Sequence, residues 1–355
     1  MKKIFFFLFV VFLIPGTVLA KGSSVVVMDV DSGRVLYSEK GQEEKLIAST
    51  TKIMTCLIVL ENGNLDQKIT VGDEVLASYG TNIYIKPGEE LTVLDLLYGL
   101  MLRSGNDAAL TLAVQLFGEE EIFVEKMNEK ANELGMKHTH FSNCHGLDDK
   151  NENSSTAYDM ALLSRYAYQN EMYQKIISTK KYEAKSSLKS YVWYNRVSLL
   201  SEYSNCLGGK NGYTPKAGKS LVSLARENDL TLTIVSLNDP DIYSHHQSLY
   251  ESFFSKYKNY KIVEPSHFSI SSSLISDRLV YVKDSFVYPM KEDEINSIST
   301  LVKIFPSSID STVGEIEVYL DKELIGTVPI YEKIQKKEEC KSFFCKIRNY
   351  LFDKR

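Results

Sequence analysis

Cysteine is scarce in this chain: five in 355 residues, an odd number with no CxxC pair. That excludes a disulfide framework and the paired-thiolate zinc sites. Cys56 falls inside an apolar stretch and reads as a small core residue, while nothing demands that Cys340 and Cys345 pair. Histidine is equally thin. The six histidines show no HExxH or comparable spacing, so His138, His140 and His145 do not read as a metal set, and no metal or organic cofactor is expected. Positive charge is not in excess either. The net charge is −5, which gives no hint of a nucleic-acid partner. Internal repeats and low-complexity tracts are missing, and the apolar run Ile4 to Ile14 is too short to span a bilayer.

What remains is a globular composition, 44% hydrophobic and 25% charged, long enough for roughly two domains. Residues 1–20 read as a signal peptide. Lys2-Lys3 forms a basic start, Ile4 to Ile14 an apolar centre, and Val18-Leu19-Ala20 a small-residue cleavage site. An exported protein is therefore expected. At the other end, residues 333–355 carry eight Lys or Arg against three Asp or Glu. Phe343, Phe344, Ile347 and Leu351 recur there at helical spacing, so residues 332–355 read as a basic amphipathic tail suited to lying on an anionic membrane surface.

Between these ends the pattern changes twice. Ser24–Val30 and Arg34–Ser38 flank Asp31-Ser32-Gly33 and predict a hairpin. Residues from Ile47 to about Leu60, Val93–Arg103, Ala108–Phe117 and Glu119–Leu134 predict helices, and Ser220–Arg226 with Thr231–Leu237 predicts a second hairpin. Strands, a helical block and strands again imply a sheet with helices packed on it and a helical insert over 21–259. Beyond residue 260, short alternating runs with a turn at Asp321-Lys322 predict a small all-β domain over 260–331.

Three short strings carry the chemistry: Ser49-Thr50-Thr51-Lys52, Ser104-Gly105-Asn106 and Lys210-Asn211-Gly212. Ser-x-x-Lys by itself is unspecific and also occurs at Ser178/Lys181, Ser186/Lys189 and Ser255/Lys258. Only the first opens an apolar helix and precedes the other two strings. On a helix, residues i and i+3 share a face, so the Lys52 amine can reach the Ser49 hydroxyl. A neutral lysine can take the serine proton if burial and a neighbouring cation, here Lys210, lower its pKa.

The combination resembles the low-molecular-mass penicillin-binding proteins, serine-type D-alanyl-D-alanine carboxypeptidases of the S11-like peptidase family. The likeness extends over KLIASTTKIMTC (45–56), KPGEELTVLDLLYGLMLRSGNDAA (86–109), residues 134–162 with HFSNCHGLDD and STAYDMAL, GGKNGYTPKAGKSLVSLA (208–225) and VGEIEVYLDKELIGTVPIY (313–331). It implies an α/β (α+β) catalytic domain of the serine β-lactamase/transpeptidase type, an antiparallel sheet with helices packed on it, followed by a small all-β domain. By matched position, Ser49 is the implied nucleophile, Lys52 its base and Ser104 the proton relay to the leaving D-alanine. Asn106 holds the substrate's peptide carbonyl, and Lys210 supplies positive potential for the terminal carboxylate. The resemblance also implies an oxyanion hole formed by the backbone N–H groups of Ser49 and Tyr213. His145 and Asp148 lie in a loop near the site.

One departure stands out. The family's third motif usually reads Lys-Thr-Gly, and the threonine hydroxyl binds the carboxylate; here Asn211 takes that place, with Gly212 retained so that substrate can approach the strand. The implied partners are stem peptides ending in D-Ala-D-Ala, β-lactams, and the outer face of the cytoplasmic membrane. The competing readings are a serine β-lactamase, against which the missing ExxLN string and the extra β domain count, and a catalytically weak peptidoglycan-binding protein, motivated by Asn211. A D,D-endopeptidase would share the same chemistry.

Overall fold

Ser24–Asp29 is buried along its whole length, with Val25, Val26 and Val27 fully enclosed, as a β-branched run in a central strand requires. In the computed structural model, which describes residues 22–148, 152–270, 279–309 and 311–333, this strand joins the two ends of the first unit. It pairs antiparallel with Val35–Glu39 on one side and with Leu230–Leu237 on the other, placing Val26 opposite Val235. Gly218–Glu227 and then Cys206–Thr214 complete a five-stranded antiparallel sheet. Cys206–Thr214 is an edge strand, which leaves its outer side available to a ligand.

Helices cover both faces of the sheet. On one, Thr233 Oγ1 donates to Ser164 Oγ of the Ala157–Ala167 helix at 2.8 Å. On the other, His246 of the Ile242–Lys256 helix bridges Ser223 Oγ (2.7 Å) and Ser236 Oγ (2.9 Å). The helical block centres on Lys52–Asn62, in which every residue from Lys52 to Val59 is buried, the signature of a helix enclosed on all sides. Val93–Arg103 begins at a capping box between Thr92 and Asp95, then Asn106–Phe117 and Glu120–Glu133 follow.

The expected hairpins and helices of this unit are all present, with one difference at the nucleophile. Ser49 lies not on the α-helix itself but on a 3₁₀ turn, Ala48–Thr51, that leads into it. Elements with no expectation attached also appear: the Lys181–Lys185/Ser190–Tyr194 hairpin and the helices Ala157–Ala167, Glu171–Ser178 and Ile242–Lys256.

The chain divides into two compact units between Lys256 and Tyr257, just ahead of the composition change at residue 260. The second unit has a four-stranded antiparallel sheet in the order Val280–Val282, Glu323–Glu332, Thr312–Leu320, Ile298–Ile309. A second pair joins Lys258–Val263 to Phe286–Met290. Val282, Val313, Ile316, Val318, Val328 and Ile330 pack its core. Asp321 and Lys322 both have positive φ (47° and 75°), the two-residue geometry whose twist matches the strands it connects. The leader reading (1–20), most of the tail reading (334–355), and Cys340 and Cys345 lie outside the described residues. Among the described residues no helix is long and apolar enough to cross a membrane.

Candidate active site

Lys52 is fully buried, yet its amine has three partners. Nζ donates to Ser49 Oγ at 3.2 Å, to Asn106 Oδ1 at 2.6 Å and to the His145 carbonyl at 2.6 Å. Ser49 itself is half-buried, open to an incoming ligand. Two of the other Ser-x-x-Lys pairs turn their amines elsewhere, Lys181 to Glu183 and Lys189 to the Tyr84 carbonyl. Burial pushes the Lys52 amine down to about 7, against opposing pulls from Cys144 and Asp107. An amine so placed can accept a proton near neutral pH.

The second string closes the Val93–Arg103 helix. Ser104 is its C-cap in the left-handed region (φ 64°, ψ 36°), a conformation disfavoured for a residue with a side chain. Its Oγ is buried without a hydrogen-bond partner among the described residues. Strain and an unspent hydroxyl in one residue are the combination that functional sites retain. Asn106 opens the next helix, and its carboxamide is held at both ends: Oδ1 takes Lys52, while Nδ2 donates to the Tyr79 carbonyl at 2.7 Å. Among the described residues the other N–H of that amide has no acceptor, which leaves it to a ligand.

The third string lies on the edge strand. Lys210 is buried, and its Nζ donates to the Asn211 carbonyl at 2.7 Å and to Asn211 Oδ1 at 3.4 Å. Burial first, then the charges of Lys52 and Arg196, hold its amine well below the usual lysine range. Burial is the main force on both amines, and the Lys52–Lys210 repulsion, which is mutual, adds to it. Gly212 is pressed against the nucleophile turn: a Cβ there would stand 2.9 Å from Ser49 N and 3.1 Å from Thr50 N. Tyr213 follows with an exposed ring.

The loop through 141–148 closes the site from the side, and asparagines organise it. Asn143 Oδ1 accepts from the N–H groups of His145 (3.2 Å) and Gly146 (2.6 Å). Asn153 Oδ1 accepts from those of Ser142 (2.7 Å) and Asn143 (3.1 Å), and its Nδ2 donates to Thr51 Oγ1 at 2.9 Å. Thr55 Oγ1 donates to the Cys144 carbonyl at 2.6 Å, so the loop is clamped to the Lys52 helix. His145 meets Lys52 through its carbonyl; its ring Nδ1 faces the Leu147 N–H at 3.1 Å. Asp148 is buried and accepts from the Thr214 hydroxyl, tying the loop to the edge strand. Gly146 has φ +89°, and a Cβ there would stand 2.0 Å from the Ala48 carbonyl oxygen. Gly146→Ala is accordingly expected to lower Tm by about 5 °C or more, read by a thermal melt.

Several residues of this arrangement carried no sequence signal. Asp107 accepts from the N–H groups of Ile83 (2.9 Å), Tyr84 (2.7 Å) and Ile85 (3.2 Å), fixing the loop that presents the Tyr79 carbonyl to Asn106. Its place directly after Ser-Gly-Asn was the available hint. Asn143 falls within the family-like string HFSNCHGLDD, but nothing in the sequence gave it or Asn153 a role. Among the described residues no three His, Cys, Asp or Glu side chains converge as a metal ion would need.

A family model described as D-alanyl-D-alanine carboxypeptidase matches residues 16–241. The chain is similar to D-alanyl-D-alanine carboxypeptidase DacF of Bacillus subtilis, 29% identical over 339 residues that cover 90% of this chain and 86% of that one. It is also similar to the D-alanyl-D-alanine carboxypeptidase of Streptomyces sp. K15, at 34% over 240 residues, 61% of this chain and 82% of that one. Among solved structures, penicillin-binding protein 6B from Escherichia coli superposes with a TM-score of 0.71 at 26% identity, covering 89% of this chain and 96% of that one.

Proposed function

This chain belongs to the D-alanyl-D-alanine carboxypeptidase family of serine-type hydrolases, and from that premise we propose that Ser49 is acylated by the D-alanyl-D-alanine end of a peptidoglycan stem peptide with Lys52 as its base. The observation that carries this reading is the enclosed amine, 3.2 Å from Ser49 Oγ and aimed by Asn106 and His145.

Neutral Lys52 takes the Ser49 hydroxyl proton as Oγ attacks the carbonyl carbon of the penultimate D-alanine. The negative charge that develops on the carbonyl oxygen is met by backbone N–H groups of Ser49 and Tyr213, donors worth ~3 kcal/mol each in such sites. The C–N bond then breaks, and the leaving amine gains a proton through the free Ser104 hydroxyl. Water hydrolyses the resulting ester and restores Ser49. Asn106 offers its remaining N–H to the substrate's peptide carbonyl. Lys210 and Asn211 face the terminal carboxylate. An arriving carboxylate favours the protonated form of Lys210, so the positive charge that burial suppresses returns when substrate binds. His145 and Asp148 hold the loop and do not exchange protons with the substrate.

Acting on peptidoglycan places the enzyme in the cell-wall space. Attachment to the outer face of the cytoplasmic membrane through residues 332–355, and export directed by residues 1–20, are proposals from sequence; fractionation of cells producing the full chain or a chain ending at residue 331 tests them. The chemistry is tested by two assays. Mass spectrometry of benzylpenicillin-treated protein should map one adduct to Ser49, absent in Ser49→Ala. A diacetyl-Lys-D-Ala-D-Ala peptide should release D-alanine. Peptidoglycan binding without release would instead favour a degenerate binding protein, and rapid turnover of a chromogenic cephalosporin a β-lactamase.

A further inference from the structure

Asn211 is anchored by a residue far along the chain. Its Nδ2 donates to Tyr243 Oη at 3.1 Å, and its Oδ1 accepts from Lys210 Nζ at 3.4 Å. The Tyr243 hydroxyl in turn donates to the Arg196 carbonyl at 3.1 Å. A phenol has one proton, and this one is spent on Arg196, so Tyr243 faces Asn211 as an acceptor. A flipped carboxamide would set oxygen against oxygen there and turn its nitrogen toward the Lys210 amine. The chain of bonds therefore selects one orientation of the amide.

That orientation matters because an amide nitrogen has two N–H groups. Tyr243 takes one; the other has no acceptor among the described residues. Asn211 and Tyr243 line one open groove of about 300 Å³ together with Gly212, the residue in contact with the Ser49 backbone. Tyr243 is held in turn by its place in the first turn of the Ile242–Lys256 helix, whose His246 is bonded to the sheet at both ring nitrogens.

We propose that Tyr243 is a positioning residue for the leaving group: by locking the Asn211 carboxamide it aims the second N–H at the carboxylate of the terminal D-alanine. This rests on the carboxypeptidase reading above. A hydroxyl at position 211 would supply a donor by rotating about its own bond. A carboxamide offers a donor only if it does not flip, and the tyrosine prevents the flip.

The test compares two peptides, diacetyl-Lys-D-Ala-D-Ala and the same peptide ending in a carboxamide, across wild type, Tyr243→Phe, Asn211→Thr and the double variant. Tyr243→Phe keeps the ring and removes only Oη. The preference of kcat/KM for the free acid should fall about tenfold in Tyr243→Phe, the size of one lost charge-assisted hydrogen bond. Turnover of the carboxamide peptide should stay within about twofold of wild type. In the Asn211→Thr background the tyrosine should be silent, and the single and double variants should show the same preference. Equal losses on both peptides, or a Tyr243→Phe effect that persists beside Thr at 211, would overturn the inference by marking Tyr243 as structural. A wild type inert toward both peptides would overturn the carboxypeptidase reading, and the inference with it.

Discussion

Replacing Lys52 by alanine is expected to slow acylation of Ser49 by benzylpenicillin about 10³-fold at pH 7, the scale of a lost general base. In the wild type the same rate should climb about tenfold per pH unit below pH 7 and level off above it. The sign follows from the direction of the shift. Burial lowers the Lys52 amine to about 7, so its neutral, proton-accepting form predominates above that pH. At pH 5 only about one molecule in a hundred carries the neutral amine, and the rate should fall accordingly. Lys52→Arg separates base chemistry from charge, because a guanidinium keeps donors for Asn106 and His145 but never gives up its proton. It should be as slow as Lys52→Ala, with no rise through pH 7. Stopped-flow or quenched acylation over pH 5–9 reads both effects. A wild-type rate flat across that range, or a Lys52→Ala rate within tenfold of wild type, would remove Lys52 from the role of base.

What made Lys52 legible in the sequence was local. Ser49 and Lys52 are three residues apart, and the apolar residues after them predict a helix. The residues that aim the amine were not legible, because two of the contacts are made by backbone. The His145 carbonyl meets Lys52 and the Tyr79 carbonyl meets Asn106, contacts that the identity of a side chain does not announce. Asn143 and Asn153 act on loop N–H groups, in a sequence where an asparagine in a loop is unremarkable. The Ile242–Lys256 helix escaped for a different reason. Its buried face includes His246, whose ring satisfies Ser223 and Ser236, so the apolar periodicity that betrays a helix is blunted there. Tyr243 went unseen with it. The second unit was easier to read, since its strands alternate and Asp321-Lys322 forms a two-residue turn of standard geometry.

Gly212→Ala is expected to lower kcat/KM for D-alanine release by about 10²-fold, with Gly212→Val lower still. The side chain would add only a methyl group, but the atoms it meets cannot swing away. A Cβ at this position would stand 2.9 Å from Ser49 N, 3.1 Å from Thr50 N and 3.2 Å from Ala48 Cβ, and the first two belong to the backbone of the nucleophile turn. Relief requires the edge strand and the turn to separate. The strand is held by Gly218–Glu227 on its inner side, with Lys210 opposite Val222 and Gly212 opposite Ser220, so the shift falls on the open side that faces Ser49. Separation moves the nucleophile and its N–H relative to Lys210, Asn211 and Tyr213, and a displacement of about 1 Å in such a constellation costs about 10²-fold. Lys52 keeps its partners on the other side of the turn, so the acylation rate should keep its rise through pH 7 while its magnitude drops. Overpacking of this kind costs about 1–3 kcal/mol of stability, leaving the protein folded at 25 °C. A folded Gly212→Ala protein with wild-type kcat/KM would show that the strand and the nucleophile turn need not touch for catalysis.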